Sequence, residues 1–93
     1  MTTEVRNAVD RSRYELLLHG DLVGVADYRI EGNTIVFPHT EIDAQLRDNG
    51  LGALLVRGAL DDVRTTGREV VPVCWFVRQF IETNKDYADL RAA

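Results

Sequence analysis

The stretch Ile42-Asp43-Ala44-Gln45-Leu46-Arg47-Asp48-Asn49-Gly50-Leu51-Gly52-Ala53-Leu54-Leu55-Val56 decides how this chain is read. An apolar strand end runs into a loop with an arginine and two glycines, and an apolar helix follows. The first N–H groups of a helix have no internal partners, and they attract anions. Glycine lets that backbone approach a phosphate closely, and arginine adds a fork of donors suited to phosphate oxygens. The physics therefore points to a diphosphate or carboxylate site at 47–52. The competing reading is structural: Asn49-Gly50 is a common tight turn, and Gly52 permits close helix–sheet packing.

Upstream, the pattern has the period of strands. Tyr14, Leu16 and Leu18 alternate with Arg13, Glu15 and Leu17. His19-Gly20-Asp21 marks a turn, with His19 exposed in it. From Leu22, a strand puts Leu22, Gly24, Ala26, Tyr28 and Ile30 on one face. After the turn Glu31-Gly32-Asn33, a third strand covers 34–37. Pro38 removes a backbone donor and sets a break. A short fourth strand, His39–Ile42, then shows His39 and Glu41 on one face and Thr40 and Ile42 on the other. Residues 1–12 are weakly patterned, either a loose end or a poorly marked first strand.

Downstream, the period changes to that of a helix. Leu51, Leu54, Leu55, Ala59, Leu60 and Val63 form its apolar stripe. Arg57, Asp61, Asp62 and Arg64 form its solvated face, and Gly67 stops it. A short apolar strand at 68–73 suits a central position reached by a crossover. A second helix spans 74–83, with Phe76, Phe80 and Ile81 on one side and Trp75 off that stripe. Asn84 ends it, and 86–90 makes one more turn. The order is that of a single α/β (α+β) domain: a mixed, mainly antiparallel sheet with two or three helices. The crossover is expected to be right-handed.

Composition narrows the function. The chain has 93 residues, 45% of them apolar, and a formal net charge of -4. It lacks the basic footprint of a nucleic-acid binder. Its polar N-terminus and the lack of any apolar run near ~20 residues give no leader or membrane span, so a cytoplasmic protein is expected. The single cysteine, Cys74, rules out an internal disulfide and a multi-thiolate metal site.

Arg47-Asp48-Asn49-Gly50-Leu51-Gly52 fits the R/Q-x-x-G-x-G/A signature of the GNAT acetyltransferase superfamily. His39-Thr40-Glu41-Ile42 before it, Val71-Pro72-Val73-Cys74-Trp75-Phe76-Val77 after it and Tyr87-Ala88-Asp89-Leu90 resemble the small, single-domain branch of that superfamily. The likeness spans 13–93, which is expected to be one acetyl-CoA-binding domain after the segment 1–12. It implies a cofactor slot between two parallel strands that splay apart, His39–Ile42 and Glu69–Val73. The strand end at Ile42 would hold the pantetheine arm, and the N–H groups of Asp48, Asn49, Gly50, Leu51 and Gly52, beside Arg47, the pyrophosphate. Asn84 and Lys85 would approach from the far side. The branch has glycine where Asp48 stands, His-Pro-Glu-Tyr where Asn84-Lys85-Asp86-Tyr87 stands and tyrosine where Phe80 stands. Asp48 puts a negative charge beside the expected pyrophosphate.

The resemblance implies an acetyl-CoA-dependent N-acetyltransferase; the alternative is a non-catalytic CoA-binding or protein-interaction module of the same fold. The acceptor would be an amine, on a small molecule or a protein lysine, and the protein a monomer or homodimer. Three residues are candidates for catalysis. Cys74 follows the last strand, either as a nucleophile or as a packed lining residue. His39 and Glu41 flank the slot, either as the base that deprotonates the amine or as a strand cap and a solvated carboxylate.

Overall fold

The computed structural model describes residues 2–92, and of 47–49 only the backbone. Five strands lie in sequential order: β1 (Thr3–Ala8), β2 (Arg13–Leu18), β3 (Asp21–Glu31), β4 (Thr34–Ile42) and β5 (Glu69–Val71). β1 to β4 pair antiparallel, and β5 pairs parallel to β4. Helix α1 (Leu51–Thr66) makes the crossover between β4 and β5, and α2 (Trp75–Thr83) follows β5. Short 3-10 helices occupy Val9–Arg11, Ala44–Asn49 and Lys85–Leu90. The domain is mixed α+β with a mainly antiparallel sheet.

Residues 3–8 resolve the open choice at the start of the chain. They form an edge strand in register with β2, from Thr3↔Leu18 to Ala8↔Arg13. Its signal is weak because Val5 is its one large apolar residue, packed against the core between exposed Glu4 and Arg6.

Pro38 does not break the chain into two strands. β4 runs unbroken from Thr34 to Ile42, and the register against β3 slips between Asp27↔His39 and Arg29↔Val36. One residue of β3 there faces two of β4, which makes a bulge, and a bulge accommodates a residue with no N–H to donate. The bulge also resets the alternation. Ile35 and Phe37 face the core, and the next residue on that side is Thr40, which pairs with buried Ala26. His39 and Glu41 are thereby turned to the face away from α1. A second slip, between Leu16↔Gly24 and Leu17↔Leu22, moves Leu22 off the face shared by Gly24, Ala26 and Tyr28. Leu22 and Ile30 are exposed, contrary to the single apolar face expected for β3.

The core lies between α1 and one face of the sheet. Leu51, Leu55, Val56, Ala59, Leu60 and Val63 pack on Tyr14, Leu16, Ala26, Tyr28, Ile35 and Phe37. Each fully buried leucine contributes roughly 1.5–3 kcal/mol. Leu54, expected in this stripe, is exposed. α1 sits so close to β1 that a Cβ on Gly58 would come within 2.7 Å of Val5.

The expected solvated face of α1 is in fact tied down. Asp62 accepts a hydrogen bond from buried Tyr14 (2.7 Å), and Asp61 accepts one from Tyr87 (2.7 Å). Arg57 lies over the rings of Phe80 and Tyr87, 5.4 and 5.6 Å from their centroids. Arg64 pairs with Asp89 at 2.7 Å. These contacts fasten α2 and the 3-10 segment Lys85–Leu90 onto α1. Beyond them, Arg91 bridges Val70, and Ala92 N donates to Val70 O at 2.8 Å.

Candidate active site

The parallel pairing is shorter than its sequence pattern. It joins Thr34↔Glu69, Ile35↔Val70 and Val36↔Val71 and ends there. Cys74 N then donates to Phe37 O at 2.7 Å, and the chain turns into α2. The splay therefore begins after Val36 and Val71, and the segment His39–Ile42 is the open arm of β4. The gap is a cavity of about 680 Å³. His39, Thr40, Glu41 and Ile42 line one wall, and Trp75 and Phe76 line the other. Gly50, Gly52 and Ala53, at the head of α1, close one end.

Gly50 starts α1 in the left-handed region, at φ 73°, and open space surrounds the position of a Cβ. The first bond of the helix ladder is Leu54 N to Gly50 O, 3.3 Å. The amides of Leu51, Gly52 and Ala53 precede that ladder, as in any helix head. Leu51 itself is buried in the core, while its neighbours Gly50, Gly52 and Ala53 reach the cavity. A Cβ on Gly52 would meet the Phe76 ring at 2.8 Å. Gly52 is small so that α2 can begin beside α1, a helix–helix approach where the packing alternative expected a helix–sheet one. The side chains of Arg47, Asp48 and Asn49 lie outside the described residues.

Cys74 is the N-cap residue of α2, half-buried and free, with Sγ 3.5 Å from Thr40 Oγ1. Burial pushes its thiol up, but Thr40 and the backbone around Val77 and Phe76 stabilise the thiolate and bring it below the usual range. Thr40, Trp75 and Phe76 stand on the cavity wall; Cys74 lies behind them, against Thr40 and the core. Sequence reasoning singled out neither Thr40 nor Phe76, and the bulge that aims Thr40 inward leaves only Pro38 as its trace.

His39 Nε2 and Glu41 Oε2 are 3.0 Å apart, and both side chains are more than half exposed. They form a solvated pair at the cavity rim. Asn84 is engaged elsewhere: Nδ2 donates to Phe80 O at 2.9 Å, and Oδ1 accepts from Arg57 at 3.5 Å. It lines a separate hollow of about 180 Å³ that shares Phe76 with the main cavity. Lys85 is exposed at the start of the last 3-10 segment and does not reach the main cavity's wall. Among the described residues, no helix is long and apolar enough to cross a membrane, and no cluster of metal-ligating side chains occurs.

Comparison with known proteins is consistent with this architecture. A GCN5-like putative N-acetyltransferase from Staphylococcus aureus has 18% identity and a TM-score of 0.74, over 97% of this chain and 88% of its own. The ribosomal-protein-S18-alanine N-acetyltransferase from Escherichia coli has 16% identity and a TM-score of 0.66 over 83% of this chain. Ard1 from Thermoplasma volcanium has 17% and 0.64 over 82%. This chain spans 54% and 56% of the length of those two. No curated protein matches it. At such identities the likeness shows the fold alone. A family model described as GCN5-related N-acetyl-transferase matches residues 13–90, and the chain belongs to that family.

Proposed function

We propose that this protein is an acetyl-CoA-dependent N-acetyltransferase acting on an amine. The observation that carries the reading is the splay cavity, with a helix head at one end and a titratable pair at its rim. The residues present fit the cofactor. The apolar walls at Ile42, Trp75 and Phe76 suit a pantetheine arm. The amides at Gly50–Ala53 suit a pyrophosphate, which helix heads bind through backbone donors. Acetyl-CoA supplies a thioester, whose carbonyl carbon takes the amine nitrogen's lone pair while the thiolate leaves.

The chain's own groups handle position and protons. Glu41, oriented by His39, takes the proton that the incoming ammonium must lose. The Cys74 thiol donates to Thr40 Oγ1, and Thr40 on the wall presents that pair to the slot, where Cys74 either protonates the leaving thiolate or acts as a nucleophile itself. Asn84 and Lys85 hold the outer part of the cofactor past Phe76.

Calorimetry with acetyl-CoA and CoA tests this directly, followed by acetyl release with a panel of amines. Binding with turnover supports the reading. CoA binding without turnover leaves the non-catalytic CoA-binding module, and no binding at millimolar cofactor removes the enzyme and leaves the protein-interaction module.

A further inference from the structure

Among the described residues, α1 and α2 join one core cluster with the sheet face of Tyr14, Ala26 and Phe37. On the opposite face lies another cavity, of about 360 Å³, and Glu41 lines both it and the splay cavity. The register explains what the face presents. Glu41 pairs with Val25, and Val25 pairs in turn with Glu15, so the three share a row across the sheet. Asp43 N donates to Val23 O at 2.8 Å, which carries the pairing one step past Ile42. Asp43 is two residues from Glu41, so their positions repeat roughly 7 Å apart along the strand. Leu22, brought to this face by the slip in β3, and Val25 add apolar surface. Arg13 lines the far side, and its charge is already matched by Glu15 at 2.8 Å.

We propose that this groove is the acceptor site, and that its occupant is a lysine side chain of a polypeptide. The proposal rests on the function proposed above and names its substrate class. A lysine has the matching form: an apolar four-carbon stem ending in a compact ammonium. The stem lies over Leu22 and Val25, and the ammonium sits between Asp43 and Glu41. Glu41 is the residue at which the groove meets the slot, so an amine held there is already at the slot's edge. An open groove on the sheet face away from α1 gives a free small amine few contacts, whereas a polypeptide can lie along the face. The net charge of -4 favours the approach of a basic segment.

Two variants test this without touching the slot. Leu22→Lys puts a cation in the groove at an exposed position outside the slot. Asp43→Asn keeps an oxygen for the Gln45 N–H that Asp43 Oδ1 caps at 3.0 Å. Peptides whose single amine is a lysine, peptides whose single amine is the α-amino group, and butane-1,4-diamine serve as acceptors. The lysine peptide is expected to be the best of the three. Asp43→Asn should raise its KM about fivefold, the upper end for an exposed ion pair. Leu22→Lys should raise it more, with CoA affinity unchanged in both.

Amide shifts of Leu22, Val25 and Asp43 on titration with the lysine peptide, without cofactor, give a readout independent of activity. Shifts without any turnover keep the groove and remove the enzyme. Turnover with no such shifts, or with KM unmoved in both variants, overturns the groove and leaves the enzyme standing, as does preference for the diamine or the α-amino peptide.

Discussion

Gly58→Ala separates two expectations of opposite sign. Gly58 lies inside α1, where replacing glycine by alanine stabilises a helix by about 1 kcal/mol. The packing argues the other way. The added Cβ would lie 2.7 Å from Val5 Cβ, 2.7 Å from Cγ2 and 2.9 Å from Cγ1. A β-branched side chain cannot swing clear, since its Cβ is fixed to the strand. β1 must retreat from α1 or α1 must lift, and such overpacking costs about 1–3 kcal/mol. The net expectation is a loss of about 1 kcal/mol, which lowers Tm by about 4–8 °C in a domain of this size. Thermal and urea unfolding followed by circular dichroism measure it. Val5→Ala in the Gly58→Ala background removes both Cγ atoms from the clash, so the double variant should lose less than the sum of the singles. A rise in Tm for Gly58→Ala alone refutes the packing argument.

Three further outcomes are expected. Gly50→Ala forces a side chain into the left-handed region with free space around it, so the loss of about 1–2 kcal/mol in urea unfolding is purely conformational, and Gly50→Asn loses less. Thr40→Val removes a hydroxyl that stabilises the Cys74 thiolate, so the pH midpoint of Cys74 alkylation should rise; an unmoved midpoint would show that the helix head alone tunes the thiol. Glu15 is held below the usual carboxylate range by Arg13 first, against burial, and then by Arg6. A carboxylate depressed in the folded state contributes stability that is present above its unfolded pKa and lost as pH falls through its folded one. Glu15→Gln should therefore destabilise the protein at neutral pH, and the gap to wild type should close in acid; a gap independent of pH contradicts the ion-cluster account.

The parts of the fold with strong periodicity were legible in the sequence. β2 alternates, α1 repeats its apolar face and Gly67 ends it, in the left-handed region at φ 77°. The head of α1 was legible as a helix start because glycine and helix-start chemistry are local. What escaped was set by pairing. The bulge at Pro38 is a relation between β3 and β4, and a proline read alone suggests a break. The same slip decides that Thr40 faces the slot and that Glu41 faces the open side. Asp61 and Asp62 looked solvated because their partners, Tyr87 and Tyr14, lie 26 and 48 residues away. The cavity on the face away from α1 was invisible for the same reason, since its apolar residues come from β3 and its carboxylates from the end of β4 and the residue after it.

The brevity of β5 has a consequence for the order of assembly. The first four strands are joined by tight connections, and their contacts are local, so they can form early in folding. β5 is held by three pairings to β4 and by Arg91 and Ala92 on its other side. Those partners are separated from it along the chain by a full helix on either flank. The slot exists only where this late-closing unit meets the meander. A nascent chain halted before Val70 has the meander and α1 but only one wall of the slot. Ligand affinity, more than secondary structure, would then report that the last step of folding is complete.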